Sequence, residues 1–374
     1  MNVLFVANDP TVFEKDSATR ARMRTYAQAM GELHIISYAR KGAKEEQDGT
    51  LFLHPVTGNK LLSYLHIYTR ARKMMRTQTI AVVSAQDPFE YGLIAHHARS
   101  GTSTKLHIQI HTDFLSPWFV TQDVFRAPKV RSTVLNAIRV RIARYVLREA
   151  QGIRVVSERI AESLQKEFQG RTVPAVVLPV PVTLEQVSRV PLPEHAYTFT
   201  LVTVSRLEKE KRIQDILYAL ARIQQRYPRV GLFVIGEGRE RSQLVRLTRK
   251  LGLTERVVFL GERADARGLM KSAHAYIQAS AYEGYGRTLL EAALARVPII
   301  TTDVGIVGEV FRGYDDVLST PVGDPVQLSN YMVNLIEDQQ LRLSLAINAE
   351  QKALRHLEAN TDIPRRFAEH LASL

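Results

Sequence analysis

The sequence predicts an α/β protein of two doubly wound domains, each a parallel sheet covered by helices on both faces. Three observations predict it. Strand-length apolar runs alternate with helical ones almost from end to end. The alternation halts at Val190-Pro191-Leu192-Pro193 and then restarts. The 374 residues, 45% of them hydrophobic, also exceed what one core usually holds, since single cores rarely grow beyond about 250 residues.

In the first half the strand-like runs are Val3 to Val6, Leu33 to Ser37, Ile80 to Ser84, Lys105 to Ile110, Ile153 to Val156 and Ala175 to Leu178, with helical segments between most of them. In the second they are Thr198 to Ser205, Val230 to Ile235, Arg256 to Leu260, Ala275 to Gln278 and Pro298 to Thr301. The split falls near residues 183–196. From Pro325 the pattern is helical, with a break at Asp362-Ile363-Pro364. The expected division is residues 1–190, residues 191–352, and a last helical segment, 353–374, packing back on the first domain.

Composition narrows the function. The absence of cysteine excludes disulfides, thiolate zinc and a cysteine nucleophile, and suits a reducing cytoplasm. Met1 to Ala7 is a strand-length apolar run without a basic leader, and no apolar stretch approaches the roughly 18 residues of a membrane span, so a soluble or peripheral protein is expected. The formal charge of +12 is concentrated in the first half. Between Gly49 and Gln86 there is no Asp or Glu, while Lys60, Arg70, Arg72, Lys73 and Arg76 are basic. Between Val124 and Arg148 the same holds around Arg126, Lys129, Arg131, Arg139, Arg141, Arg144 and Arg148. In that second stretch Leu135, Ile138, Ile142 and Tyr145 follow helical spacing. Two readings stay open: the stripe faces the core and the arginines are solvated, or the face meets anionic lipid at the inner side of the plasma membrane. No recognition motif for nucleic acid accompanies the charge.

The chemistry is concentrated in the second half. Glu283 and Glu291 stand eight positions apart in Tyr282-Glu283-Gly284-Tyr285-Gly286-Arg287-Thr288-Leu289-Leu290-Glu291. Two glycines disfavour helix through Gly286, whereas Thr288 to Leu294 reads as helix-forming. A loop thus delivers amides at a helix start, which favours an anionic ligand, and the carboxylates can accept hydrogen bonds from hydroxyls. Upstream, Val204-Ser205-Arg206-Leu207-Glu208-Lys209-Glu210-Lys211 runs from a strand into a charged loop, placing Arg206 and Lys211 where they can neutralise a diphosphate. Phe233-Val234-Ile235-Gly236-Glu237-Gly238 ends a strand in Gly-x-Gly, but Arg241 occupies the place of the third glycine of a dinucleotide fingerprint, so a nicotinamide or flavin cofactor is disfavoured.

Together these motifs resemble the second domain of the retaining glycosyltransferases of family 4. The resemblance is carried by Ser205-Arg206-Leu207 with Lys211, Gly236-Glu237-Gly238, Val258-Phe259-Leu260-Gly261, and Glu283-Gly284-Tyr285-Gly286 through Glu291-Ala292 to Val297-Pro298-Ile299-Ile300. It implies the GT-B fold: two Rossmann-like domains facing a central cleft, the first binding acceptor and the second a nucleoside diphosphate sugar such as a UDP- or GDP-sugar. It implies that Arg206 and Lys211 hold the diphosphate, that Glu291 binds the ribose, and that Glu283 lies at the sugar with the amides of Gly284, Tyr285 and Gly286. The glycines Gly236 and Gly261 would border the donor. Arg212 stands where the family commonly has glycine, and Arg296 where a small residue usually precedes Val-Pro. In the first domain the resemblance is fainter and rests on Gln86-Asp87-Pro88-Phe89-Glu90-Tyr91-Gly92 and Ile110-His111-Thr112-Asp113-Phe114; it implies that His111 points at the donor sugar. The loop through Ser17 and Ala18 lacks the paired glycines many relatives place there; both residues are small enough for backbone approach to an acceptor or phosphate, and Arg20 or Arg22 would compensate.

The implied reaction is sugar transfer to a hydroxyl with retention, in synthesis of an exported or lipid-linked polysaccharide or a glycolipid. The acceptor would be lipid-linked or saccharide. No Asp-x-Asp occurs in the chain, which counts against a metal-dependent site, and no cofactor is expected. A nucleotide-sugar epimerase of the same fold and a non-catalytic scaffold are the alternatives.

Overall fold

The structure, a computed structural model, describes residues 1–121, 130–182 and 187–374. Arg126, Lys129 and the Arg131 side chain, among the basic residues named above, lie outside the described residues, as do 183–186 of the expected split. The chain divides into two compact units. The first comprises Met1–Leu115, Arg126–Pro179 and Asp362–Leu374, and the second Ser116–Phe125 and Val180–Thr361.

The first unit contains β1 (Asn2–Ala7), β2 (Glu32–Tyr38), β3 (Glu46–Asp48), β4 (Leu51–Val56), β5 (Val82–Ala85), β6 (Lys105–Ile110), β7 (Gly152–Val155) and β8 (Ala175–Val177). They form one sheet in the order β3-β4-β2-β1-β5-β6-β7-β8. Each pairing is parallel except β3 with β4. Strands β1, β2, β5, β6 and β7 are buried along most or all of their length, as strands covered on both faces must be. The hairpin of β3 and β4 escapes the apolar pattern, because β3 is polar and β4 carries Pro55 next to the edge of the sheet.

The second unit contains β9 (Phe199–Val204), β10 (Val230–Ile235), β11 (Val257–Gly261), β12 (Ala275–Ile277), β13 (Ile299–Thr302) and β14 (Leu318–Thr320), all parallel in the order β11-β10-β9-β12-β13-β14. The short edge strand β14 is the one the apolar pattern does not show. Helices Ile213–Ile223 and Pro325–Glu337 bury Ile216, Leu220, Leu328 and Met332 against one face of this sheet.

The long helix Gln339–Ala359 belongs to the second unit, and the chain returns to the first at Asp362, later than the boundary read from the sequence. Helix Ile363–Ala372 seats Phe367, fully buried, between Phe5 and Tyr26, with ring centroids 6.1 and 5.6 Å away. Among the described residues no helix is long and apolar enough to cross a membrane.

Candidate active site

In a doubly wound sheet, ligands bind beyond the carboxyl ends of the strands where the strand order reverses. In the second unit that point is β9, which lies between β10 and β12. The loops leaving these three strands carry Arg206 and Lys211, Gly236, and Glu283 to Gly286. Their backbones are tied together: Leu207 N donates to Glu237 O at 2.8 Å, Glu240 N to Leu207 O at 2.9 Å, and Ala281 N to Glu210 O at 2.7 Å. The approach leaves no room for side chains. A Cβ on Gly236, whose φ is +128°, would sit 1.9 Å from the Ser205 carbonyl oxygen, and one on Gly238 2.4 Å from that of Leu207. Close approach of two strand-end loops therefore accounts for this Gly-x-Gly without a dinucleotide.

The loops bring Lys211 and Glu283 together across 72 positions of sequence. Lys211 Nζ donates to Glu283 Oε1 at 2.5 Å, and Ser280 Oγ donates to the same oxygen at 2.8 Å. Both charged side chains keep 14% of their exposure, enough for a ligand to reach them and little enough for the charges to be weakly screened. The loop after β13 supports them from below: Ile306 N donates to Tyr285 O at 3.0 Å, and a Cβ on Gly305, φ +60°, would meet that oxygen at 2.5 Å and Glu283 Cβ at 3.0 Å. Gly286, φ +90°, then opens helix Arg287–Leu294, whose start has no side-chain cap. Its first-turn amides present the positive end of the helix dipole. Glu291 is buried in that helix, and its Oε1 accepts from Arg287 Nε at 2.8 Å.

The remaining residues expected on the donor side are placed as follows. Arg206 is exposed and lies 3.3 Å from Glu210 Oε1. Gly261, φ +71°, accepts from Gly236 N at 2.7 Å and thereby ties the loop after β11 to the site. The Tyr285 ring is buried and its hydroxyl is hydrogen-bonded to His356 Nε2 at 2.8 Å, so it is the backbone of this residue that the loop presents. Arg212 keeps the left-handed φ of +47° that glycine would adopt freely. Its guanidinium is held by Asp215 at 2.7 Å and lies 5.5 Å from the Trp118 ring, contacts that offset the backbone strain. Ser280, Gly305 and Arg287 were not singled out from the sequence. Gly305 carries a signal akin to that of Gly236, a glycine in the loop that leaves a strand, whereas Ser280 and Arg287 acquire meaning only through their contacts.

In the first unit the segment 17–20 is a helix cap. Ser17 Oγ accepts from Arg20 N at 3.0 Å and donates to Thr11 O at 2.6 Å, at the start of helix Ala18–Met30. Ala18, the first helical residue, is exposed. Arg20 corrects the sequence reading: it is 1% exposed, with Nη2 on Glu46 Oε1 at 2.7 Å and Nε on Asp48 Oδ2 at 2.8 Å, so the β3 hairpin consumes its charge. Arg22, unlike Arg20, adds its charge to that of Arg154 at His111. His111 follows β6, and its Nε2 lies 3.4 Å from Gln109 Oε1. Solvent reaches the ring, yet desolvation by the surrounding protein, then Arg154 and Arg22, push its pKa below the ordinary histidine value, so the imidazole is neutral. Asp87, after β5, accepts from Phe89 N at 2.8 Å, while burial pushes its pKa up to about 6.

Two family models match this chain, one described as Glycosyltransferase Family 4 over residues 21–186 and one as Glycosyl transferases group 1 over residues 188–352. The chain belongs to glycosyltransferase family 4. Among curated proteins similar to this chain, N-acetyl-alpha-D-glucosaminyl L-malate synthase of Bacillus anthracis is 30% identical over 151 residues, 40% of this chain and 39% of that protein. The lipopolysaccharide core biosynthesis glycosyltransferase LpsD of Rhizobium meliloti is 30% identical over 165 residues, 44% of this chain and 47% of that one. The aligned stretches span less than half the length of these relatives. Among solved structures, Anabaena HepE in complex with UDP-glucose is 21% identical with a TM-score of 0.76, covering all of both chains. Sucrose-phosphate synthase from Thermosynechococcus elongatus is 16% identical with a TM-score of 0.80, covering all of this chain and 98% of that one. These likenesses show the family 4 fold, GT-B, with two parallel-sheet α/β domains.

Proposed function

We propose that this chain transfers a sugar from a nucleoside diphosphate sugar to an acceptor hydroxyl, with retention at the anomeric carbon and without a metal. The observation that carries this reading is the Lys211 and Glu283 pair, set at the strand-order reversal beside an uncapped helix start. A departing diphosphate gains negative charge as the sugar takes on oxocarbenium character. Arg206, Lys211 and the amides after Gly286 are the groups that stabilise that charge. Glu283 would exchange its contact with Lys211 for a sugar hydroxyl when the diphosphate takes the lysine, and Glu291 would bind the ribose. With the leaving phosphate accepting the acceptor proton, no protein nucleophile is required. The names of LpsD and of HepE's complex with UDP-glucose support this class of donor and acceptor.

A thermal-shift panel of UDP- and GDP-sugars tests the donor. One donor should stabilise the protein by roughly 2–3 kcal/mol at a hundred times its dissociation constant. No stabilisation by any of them would end this reading. Incubation of the stabilising donor without acceptor then separates transfer from epimerisation.

The acceptor is proposed to be lipid-linked and met at an anionic membrane face, the inner face of the plasma membrane. Helix Val130–Glu149 supports this. Leu135, Ile138 and Tyr145 are 46%, 48% and 45% exposed, so most of the apolar stripe faces solvent, and the core face is instead Asn136, Val140, Ala143 and Leu147. Helix Lys60–Thr77 exposes Leu62 and Leu65 as well. Both helices pack on Glu90–Ala98, where Arg72 Nη1 meets His97 O and Tyr145 OH meets His96 Nε2. Arg141 and Arg148 border the stripe. Apolar side chains ringed by arginine suit an anionic lipid surface. Sedimentation with anionic vesicles should show binding at low salt, lost in large part at high salt or in a Leu135→Glu, Ile138→Glu variant. No binding at low salt would exclude the membrane face.

A further inference from the structure

A buried polar row runs behind His111. Ser84 on β5 pairs in register with His107 on β6, and Gln109 on β6 pairs with Arg154 on β7. Residues 107, 109 and 111 alternate with period two and therefore share a face of the sheet. Ser84, His107, Gln109 and Arg154 are all at most 3% exposed.

The hydrogen bonds in this row have one consistent direction. Arg154 donates through Nε to Leu178 O at 3.1 Å, through Nη2 to Pro179 O at 3.1 Å and through Nη1 to Gln109 at 3.2 Å. A guanidinium only donates, so the Gln109 atom facing it is the amide oxygen. The Gln109 nitrogen then donates to Ser84 Oγ at 3.0 Å, leaving the Ser84 proton for His107 Nδ1 at 2.8 Å. The same Gln109 oxygen lies 3.4 Å from His111 Nε2. An amide oxygen only accepts, so the His111 proton resides on Nε2.

We infer that Gln109, locked by Arg154, is a positioning residue that fixes His111 as the Nε2–H tautomer and presents Nδ1 as a hydrogen-bond acceptor for a sugar hydroxyl. This rests on the reading, implied by the family resemblance, that His111 faces the donor sugar. It adds a chemical restriction: the group met by Nδ1 must carry a proton, so a hydroxyl is favoured there and a carboxylate or phosphate oxygen is rejected. The Arg154 guanidinium also lies 4.8 Å from the Phe367 ring, which holds the lock against helix Ile363–Ala372.

Ring-labelled ¹⁵N-histidine spectra of the full chain test the inference, with His111 assigned by its loss in His111→Gln. Wild type should show the proton on Nε2, and Gln109→Leu should lose that preference and lower kcat about tenfold. Gln109→Glu keeps an accepting oxygen but adds a negative charge beside the ring, opposing Arg154 and Arg22. It should raise the His111 pKa by a unit or more and add an acid limb to the pH–rate profile. A wild-type proton on Nδ1 overturns the inference, as does a Gln109→Glu profile identical to wild type. If Gln109→Leu fails to fold, those two measurements decide. Full activity of His111→Gln would instead refute the donor-sugar placement and leave the tautomer result standing.

Discussion

Replacing Lys211 by alanine is expected to lower kcat/KM for sugar transfer by roughly 10²–10³-fold, the loss typical when one charge-stabilising donor is removed from an active site. The variant leaves Glu283 with Ser280 Oγ as its remaining partner in that pair of contacts and removes the cation proposed to meet the diphosphate. The opposite variant separates the two roles. Glu283→Gln also breaks the ion pair but frees Lys211 for the phosphates, so inhibition by the nucleoside diphosphate should weaken in Lys211→Ala and persist in Glu283→Gln. Transfer should fall in both. Lys211→Ala protein that folds normally and transfers at a near wild-type rate would remove the lysine from the mechanism.

Phe367→Ala should destabilise the first unit by about 3–5 kcal/mol, the range for emptying a buried aromatic site. The ring is fully buried and lies 5.6 Å from Tyr26 edge-on and 5.3 Å from His107, so neighbours on β1, helix Ala18–Met30 and β6 all lose contacts at once. The sole tryptophan, Trp118, belongs to the second unit. Its fluorescence should therefore report a urea transition close to that of wild type while far-UV circular dichroism moves to lower urea. Two probes that separate in this way show that the units no longer unfold together. Coincident and unshifted transitions would mean that the last helix contributes little to the first core.

The parts of the fold that were legible in the sequence are those where the physics is local. Apolar runs such as Leu33 to Ser37 and Val230 to Ile235 are strands because both faces are covered, and glycines in the loops after β10 and β12 mark the carboxyl edge. Contacts across distance were not legible. Nothing near Arg20 in the sequence announces that Glu46 and Asp48 consume its charge, and the hairpin that brings them is polar and proline-bearing. The spacing of Leu135, Ile138 and Tyr145 showed a helical stripe but not its direction, because Val140, Ala143 and Leu147 form a second stripe on the same helix. Lys211 and Glu283 were each visible as site residues, whereas their pairing depends on β9 and β12 lying side by side.

The return of the chain at Asp362 has a consequence for recombining this protein with its relatives. A single crossover near residue 180 would join a foreign second half to the native first half and bring a foreign final helix with it. That helix would have to fit a core it did not evolve beside, at Phe5, Tyr26 and Arg154. Grafting of either unit therefore calls for two junctions, one near Val180 and one at Thr361, so that residues 362–374 travel with the half they complete.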